Sequence, residues 1–275
     1  MEAIRQPAGK REPVTIHRLN IHPTAVVHPS AQLGRDVEVG PFCLIGEHVK
    51  IGDGTKLLAQ IIVNGWTQIG KDCEIHPFTV IGGASQDKKF HGERSFVRIG
   101  DRSVIREYVT INRGTGEGTD TTLGDDSLLL AYVHVAHNCH IGSGVVMSNN
   151  AQLAGHVTVG DGANIGGMVG VHQFVRIGQM AMIGGMARVV KDVMPYMVVE
   201  GNPSTVRGLN KIGLKRRKVS TDVMTELELA YQILFRANLN LAGAVNALRD
   251  KLTTAEGKEL LAFLEGQSDR GILKR

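Results

Sequence analysis

An aliphatic residue at every sixth position is the feature that most constrains how this chain folds. The series begins at Ile21 and breaks off after Ile81. It resumes over 99–111 and again over 123–189. The residue four positions after each aliphatic one is small or β-branched almost throughout. A period of six matches neither an α-helix nor an alternating strand. It is typical of a parallel β-helix, in which three short strands and three sharp turns complete a coil of about 18 residues.

The same repeat predicts what fills the interior. Aliphatic side chains point inward from each flat face and small residues fit inside each corner. Gly and Asn supply the turn conformations that other residues adopt reluctantly. Such an interior has little room for rings, and the chain has 34 Gly against 7 Phe, 4 Tyr and 1 Trp. The expected fold is mainly β, a hexapeptide-repeat solenoid of roughly nine coils and about 40 Å in length.

The three cysteines indicate packing rather than a disulfide framework or a zinc site. Cys43, Cys73 and Cys139 all fall at the small inward position of a hexad, and no CxxC motif occurs. We therefore expect free thiols in a reducing cytoplasm. The N-terminus lacks the apolar core of a secretory signal, and no stretch approaches the roughly 18 apolar residues of a membrane span.

The repeat divides the chain into three parts. Residues 1–19 are basic and aperiodic, which predicts a flexible extension, and the β-helix is expected over 20–195. Within it, segments 82–98 and 114–122 cannot keep an aliphatic residue inside, so we expect polar loops, where function tends to concentrate. Residues 196–275 are predicted to form a linker and a small helical domain, because apolar residues there recur at helical spacing.

Three helix starts can be proposed in that C-terminal part. Ser220 or Thr221 precedes the first apolar stripe, and Asn240 precedes the second. Thr253 and Glu256 have the spacing of a capping box before the third.

Positive charge is concentrated at the start of this C-terminal part. The net charge is +4, and the densest basic run is KIGLKRRK over 211–218. This run indicates an acidic or phosphorylated partner, and nucleic acid is not among the partners we expect.

Histidines are the main candidates for chemistry. Residues 18 apart lie almost directly above one another in such a prism, and from His137 this spacing leads to Gly155 and Gln173. Two chemistries suit the arrangement: general-base catalysis by a neutral His beside an oxyanion-binding N–H, or a metal held by three histidines. The spacing alone leaves both open. The residues gathered along this edge are His134, His137, Gly155, His156, His172 and Gln173.

Several motifs make the chain similar to one family of hexapeptide-repeat enzymes. In order they are IHPTAVVHPSAQLG, SQDKKF, YVHVAHNC, LAGHV, VHQF and KIGLKRRK. From Ile21 to its C-terminus the chain resembles the cytoplasmic acyl-ACP:UDP-N-acetylglucosamine O-acyltransferases, which open lipid A synthesis in Gram-negative bacteria. The resemblance implies a left-handed prism, a homotrimer with sites between neighbouring prisms, and acyl carrier protein as partner. It implies no cofactor beyond the carrier's own phosphopantetheine, and no metal.

The resemblance also implies residue roles. His137 would be the general base that activates the 3-hydroxyl of UDP-N-acetylglucosamine, and the Gly155 N–H would bind the oxyanion. Gly185 would leave room for a long 3-hydroxyacyl chain, of the 3-hydroxymyristoyl type. The basic run would dock acyl carrier protein. The implied substrate-binding residues are Asp87 and Lys89 for the glucosamine, His134 beside the base, His156, His172 and Gln173 for the groove, and Asn210 and Arg216 for the nucleotide.

Three departures from the family pattern open an alternative. Asn138 stands where the family usually has an acid after the catalytic His, Asn112 stands where His is common, and Ile212 replaces an acid near the nucleotide residues. Asn can orient an imidazole but cannot stabilise an imidazolium by charge. An amine nucleophile needs less help from a base, so a 3-amino analogue of the sugar nucleotide is the alternative acceptor.

A metalloenzyme on the same kind of prism is a more distant alternative. A γ-type carbonic anhydrase would also show stacked histidines, but it would not need the C-terminal helices or the basic run. A purely structural solenoid would have no reason for the QDKK loop or for the histidines.

Overall fold

The computed structural model describes residues 20–274, so the extension expected over 1–19 lies outside the described residues. Each hexad forms a short strand and a turn, and strands at the same phase of the coil share one face of the prism. The chain is a left-handed parallel β-helix followed by a small helical part. This hand is opposite to that of ordinary parallel crossovers.

Three sheets form the faces of the prism. The first face consists of β1 (Asn20–Ile21), β4 (Glu38–Val39), β7 (Lys56–Leu57), β10 (Glu74–Ile75), β13 (Val104–Ile105), β16 (Leu128–Leu129), β19 (Val146–Met147), β22 (Asn164–Ile165), β25 (Met182–Ile183), β27 (Met197–Glu200) and β28 (Thr205–Leu209). The second face consists of β2 (Val26–Val27), β5 (Leu44–Ile45), β8 (Ile62–Val63), β11 (Val80–Gly83), β14 (Thr110–Asn112), β17 (His134–Val135), β20 (Gln152–Leu153), β23 (Gly170–Val171) and β26 (Arg188–Val189). The third face consists of β3 (Gln32–Leu33), β6 (Lys50–Ile51), β9 (Trp66–Ile69), β12 (Phe96–Ile99), β15 (Asp120–Leu123), β18 (His140–Ile141), β21 (Thr158–Val159) and β24 (Arg176–Ile177).

The register of the second face shows where the two extra segments leave the prism. His134 pairs with Gln152, one coil of 18 residues further on. Val80, by contrast, pairs with Thr110, 30 positions on, and Thr110 pairs with His134, 24 positions on. Those two coils therefore carry extruded loops. Both loops leave from the edge between the second and third faces, the edge that also carries His137.

The interior is aliphatic, as the repeat predicts. The inward residue of nearly every hexad is buried, including Ile45, Leu129 and Ile165 at 1% exposure or less. Burying each such side chain contributes roughly 1.5–3 kcal/mol to stability. The fully buried Tyr196 lies beyond the last complete coil, just before β27, which still pairs in parallel with β25.

The corners differ from the expectation that Gly and Asn supply the turns. Many corners have a non-glycine residue in the left-handed region, with φ from 50° to 67°, including Phe42 and Met168. A left-handed L-residue costs roughly 1–2 kcal/mol. Ring stacking offsets part of this cost at three successive corners. The ring centroids of Phe78 and Tyr108 are 4.8 Å apart, and those of Tyr108 and Tyr132 are 4.7 Å apart. The result is an exposed apolar ladder, which we call the aromatic ladder, at the edge between the first and second faces.

The helices begin almost where the sequence predicts. They are α1 (Lys211–Arg216), α2 (Thr221–Arg236), α3 (Leu241–Leu248) and α4 (Ala255–Glu265). Ser220 and Asn240 cap α2 and α3 with their side chains. The predicted capping box is wrong, because Thr254 and not Thr253 caps α4. Thr253 instead donates its N–H and its hydroxyl to Glu226 of α2.

The C-terminal segment returns to the end of the prism. The fully buried Asp192 accepts the Arg176 guanidinium at 2.7 Å, and that guanidinium lies over the Phe263 ring of α4. The Asp192 backbone donates to the carbonyl of Gly271 and accepts from the N–H of Leu273. The last residues are therefore anchored beside the final coil. Within 20–274, no helix is both long and apolar enough to cross a membrane.

We predict that the three thiols do not react in the folded protein. Cys43, Cys73 and Cys139 are free and buried. Burial raises the pKa of each thiol, that of Cys139 to about 12, so little thiolate exists at neutral pH. Ellman's reagent should detect no thiol in the native protein and three after denaturation. Rapid labelling of one cysteine in the native state would contradict this packing role.

Candidate active site

A groove runs along the second face, where four coils stack in register. Its floor is the outward ladder of His134, Gln152, Gly170 and Arg188, in which each residue pairs with the next. The cavity measures about 640 Å³. The lining residues that the later argument uses are Asp87, His134, His137, Gln152, Gly155, His172, Gln173 and Arg188.

His137 and Gly155 lie one above the other, as the 18-residue spacing predicts. A Cβ placed on Gly155 would lie 2.5 Å from both Cε1 and Nε2 of His137. No side chain fits there, so glycine is required for the imidazole to lie against the backbone. His137 is only 12% exposed. The ring is thus held close to the Gly155 backbone and largely shielded from water.

The backbone N–H of Gly155 is available to a ligand. At other corners of the prism the corresponding N–H is taken up by an aspartate one coil further on: Ser143 N–H donates to Asp161 and Arg35 N–H to Asp53. One coil beyond Gly155 stands Gln173. Among residues 20–274 the Gly155 N–H donates no hydrogen bond. The corner therefore presents a free donor beside the imidazole, which is the arrangement that an oxyanion needs.

Asn138 sets the tautomer of His137. Its amide is oriented by Thr115, whose N–H donates to Oδ1 at 2.8 Å and whose carbonyl accepts from Nδ2 at 3.3 Å. The same Oδ1 lies 2.9 Å from Nδ1 of His137. Because an amide oxygen only accepts, Nδ1 must carry the proton. The lone pair is then on Nε2, the nitrogen beside Gly155.

The two extruded loops meet at this imidazole. Asp87 of the first loop places Oδ2 3.7 Å from Nε2 of His137. Asp87 is held by its own turn, in which its N–H donates to the Ser85 hydroxyl and its Oδ1 accepts from the Lys89 N–H. Ser85 in turn shares a 2.6 Å hydrogen bond with the Thr115 hydroxyl of the second loop. The loops therefore position a carboxylate beside Nε2 of the His137 ring and an amide beside Nδ1.

Asn112 joins the first loop to the prism. Its Nδ2 donates to the Ala84 carbonyl at 2.8 Å, and the residue is buried. The departure at this position thus has a structural role at the base of the loop.

Two histidines that flank His137, His134 and His156, are shifted toward the neutral form. Burial lowers the pKa of His134, and the nearby His137 lowers it further; Nδ1 of His134 lies 2.7 Å from the Thr110 hydroxyl. Burial also lowers the pKa of His156, again with a smaller contribution from His137. The His156 ring stacks on Phe174 and meets His137 edge-on at 5.2 Å. Neutral flanking rings avoid repulsion when His137 takes up a proton.

The structure brings most of the predicted residues together, but not all of them. Asp87, His134, His137, Gly155, His172 and Gln173 line the groove, whereas His156 supports it from beside His137 and Lys89 is exposed on the first loop. Asn210 and Arg216 line a second cavity of about 670 Å³ against the first face. Gly185 is exposed at the edge between the first and second faces and lines neither cavity.

Both polar atoms of the Asn210 side chain already form hydrogen bonds within the protein. It caps α1 by accepting the Gly213 N–H, and its Nδ2 donates to the Met180 carbonyl at 2.9 Å. Ile212 also lines the second cavity and is 68% exposed. Arg216 remains the more available of the two predicted nucleotide residues.

Sequence reasoning missed three residues of the groove and its rim. Gln152 and Arg188 stand 18 and 54 positions after His134, so the same coil arithmetic would have placed them on the floor. Arg270, whose guanidinium donates to Nδ1 of His172, belongs to the non-repeating C-terminal segment, and no sequence period points to it. Throughout the described range, no group of three or more His, Cys, Asp or Glu is placed to hold a metal ion.

Comparisons with known proteins identify the fold and the family of the chain. A family model described as UDP-N-acetylglucosamine O-acyltransferase, domain 2, matches residues 192–273. The six-repeat bacterial transferase hexapeptide model matches residues 48–83 and 120–155.

Whole-length relatives agree with both matches. The acyl-[acyl-carrier-protein]–UDP-N-acetylglucosamine O-acyltransferase of Syntrophobacter fumaroxidans is 44% identical over 93% of this chain and 100% of its own length. The protein of the same name from Gloeothece citriformis is 50% identical over 89% of this chain and 88% of its own. The solved structure of LpxA from Acinetobacter baumannii superposes with a TM-score of 0.88 at 38% identity, covering 92% of this chain and 99% of that one. This chain belongs to the acyl-[acyl-carrier-protein]–UDP-N-acetylglucosamine O-acyltransferase family.

Proposed function

We propose that this enzyme transfers an (R)-3-hydroxyacyl group from acyl carrier protein to the 3-hydroxyl of UDP-N-acetylglucosamine, the first step of lipid A biosynthesis. The observation that carries the proposal is the juxtaposition of Nε2 of His137, which in the neutral ring bears the lone pair, with the free N–H of Gly155. A base and an oxyanion donor side by side are what acyl transfer to a hydroxyl requires.

The chemistry follows from that pairing. Nε2 of His137 removes the proton from the sugar hydroxyl as its oxygen attacks the thioester carbon. The carbonyl oxygen becomes an oxyanion that accepts the Gly155 N–H. Collapse of the tetrahedral intermediate breaks the C–S bond, and the departing thiolate takes the proton back from Nε2. The phosphopantetheine arm arrives on the carrier protein, so the enzyme needs no cofactor of its own.

The loop contacts support the assignment of the glucosamine site. Asp87 lies beside Nε2 of His137, where a sugar hydroxyl would bridge the two side chains. Lys89, whose N–H donates to Asp87, and His134 on the floor of the groove would hold the rest of the glucosamine. His156, His172 and Gln173 would line the path of the acyl–pantetheine arm. The exposed basic run at 211–218 would dock the acidic carrier protein.

The enzyme is expected to work in the cytoplasm as a homotrimer. Assembly into a trimer would explain why the proposed binding residues are divided between two separate cavities. Asn210 and Arg216, proposed for the nucleotide, face outward from a different face of the prism than His137. Packing of prisms side by side would bring the second cavity of one chain against the groove of its neighbour. The aromatic ladder, with Tyr108 43% and Tyr132 50% exposed, offers an apolar surface for such packing.

The test is acyl transfer from 3-hydroxymyristoyl-ACP to UDP-N-acetylglucosamine, with His137→Ala alongside. We expect turnover by the wild type and a loss of about 10²–10⁴-fold in the variant, the usual contribution of a general base. No turnover of this sugar or of its 3-amino analogue would overturn the proposal, and a zinc analysis would then test the γ-carbonic anhydrase alternative.

The 3-amino acceptor is the second candidate, and Asn138 favours it. Both polar atoms of the amide are engaged by Thr115, so the partner of His137 is a neutral group with no charge to stabilise an imidazolium. An amine attacks with less assistance than a hydroxyl does. Turnover of only the amino sugar in the same assay would assign amide formation to this enzyme.

Gly155→Ala should lower activity sharply while leaving the fold intact. The new Cβ would displace the His137 ring, which is the end of a side chain and not part of the backbone frame. We expect kcat to fall by at least about 10²-fold, the scale of losing an oxyanion donor or its alignment. Gly208→Ala is the matched control, since its Cβ would meet no atom within 4 Å. Both variants should unfold at the wild-type temperature; full activity in Gly155→Ala would contradict the assignment.

Gly185→Met should shorten the preferred acyl chain. Gly185 leaves open space where a long side chain would lie, with only the Gly167 backbone nearby at 3.3 Å from an added Cβ. Competition between 3-hydroxydecanoyl-ACP and 3-hydroxymyristoyl-ACP measures the preference. An unchanged preference in a folded variant would remove Gly185 from the acyl site.

A further inference from the structure

The C-terminal segment places a cation against one histidine of the groove. Arg270 donates from Nη2 to Nδ1 of His172, a residue of the groove wall. The two residues are 98 positions apart in the chain. Arg270 is brought there because the next residue, Gly271, is hydrogen-bonded to the Asp192 backbone at the end of the prism.

The contact determines the tautomer of His172. A guanidinium only donates hydrogen bonds, so Nδ1 must be unprotonated and the proton of the neutral ring must lie on Nε2. The other neighbour of Nδ1 is the Gln173 carbonyl at 3.2 Å, which only accepts. That carbonyl favours the opposite tautomer, with the proton on Nδ1. The two neighbours therefore compete, and Arg270 decides which ring nitrogen carries the hydrogen.

The fold alone does not explain why an arginine stands here. Within residues 20–274 no carboxylate forms an ion pair with Arg270, and its buried Nε has no hydrogen-bond partner. Backbone hydrogen bonds of Gly271 and Leu273 hold the segment without the Arg270 side chain. The ordinary structural arginine of this region is Arg176, which pairs with the buried Asp192. Buried donors in proteins normally have a partner, so the unpaired Nε of Arg270 indicates that this arginine has a role other than stabilising the fold.

We propose that Arg270 is a positioning residue for acyl transfer: it holds His172 in the Nε2–H tautomer, so that His172 offers a donor to a carbonyl oxygen of the acyl–pantetheine arm. The proposal rests on the proposed function of the groove, because it assigns the arm to the wall formed by His172 and Gln173. In the other tautomer, Nε2 would be an acceptor facing a carbonyl, and the hydrogen bond to the arm would be lost.

The first test is spectroscopic and needs no substrate. Long-range ¹H–¹⁵N spectra of protein labelled at histidine report the tautomer of each ring, and His172→Asn identifies the His172 signals. We expect the Nε2–H form in the wild type and in Arg270→Lys, which keeps a donor. Arg270→Met should shift His172 toward the Nδ1–H form bonded to Gln173. An unchanged tautomer in Arg270→Met would overturn the proposal whatever the enzyme's activity.

The second test is kinetic. Arg270→Met should raise KM for acyl-ACP about tenfold, the scale of one lost hydrogen bond, with a smaller change for the sugar nucleotide. Arg270→Lys should recover most of the loss. Lys274→Met is the control, because it removes one positive charge from the same segment away from His172 and should match the wild type.

A double-variant cycle separates positioning from mere anchoring of the segment. In a His172→Asn background, Arg270→Met should have no further effect on KM. A full additional loss there would show that Arg270 acts independently of His172 and would overturn the proposal. The tautomer of His172 is measured in the free protein, without substrate. A failure of the proposed acyl transfer can therefore be distinguished from a failure of the role proposed for Arg270.

Discussion

Parallel hydrogen bonding between successive coils is the constraint on which the rest of the structure depends. Each strand is only a few residues long and gains its stability from the strands above and below it, since every face stacks in register. Because of this register, the place of a residue within its coil determines the face of the prism and the side on which its side chain lies. The floor of the groove, from His134 to Arg188, is a direct consequence, because outward residues at one phase form a continuous ladder.

A regular prism has no cleft, and the candidate active site lies where the regularity is interrupted. Both extruded loops leave from the edge that carries His137, so they fold back over the same imidazole. Asp87 approaches Nε2 from one loop, and Thr115 of the other orients Asn138 against Nδ1. The amide at 138 suits this role: its two ends match the N–H and the carbonyl of Thr115, whereas a carboxylate would face that carbonyl with a second acceptor. Asn138, the departure from the family pattern, therefore takes part in the hydrogen bonds that attach the second loop to the prism.

Much of this arrangement follows from spacing alone. The repeat predicted the faces, the buried Cys139, and the placement of Gly155 above His137. Its failures are instructive. Bulky residues such as Phe78 occupy left-handed corners where Gly and Asn were expected, because inter-coil bonding and ring stacking outweigh a cost of about 1–2 kcal/mol. Thr254 rather than Thr253 caps α4 because Glu226 of a neighbouring helix takes up the Thr253 N–H and hydroxyl.

The sequence by itself determined the coil, its interior and the histidine edge, since a hexad period converts chain position into spatial position wherever the repeat holds. Tertiary structure alone decided which ring nitrogen carries the hydrogen in His137 and in His172. The Thr115 contact that orients the amide beside His137 spans 23 residues, and the Arg270 contact to His172 spans 98. Both contacts come from segments outside the repeat, whose positions depend on how loops and tail pack against the prism and not on any period in the chain.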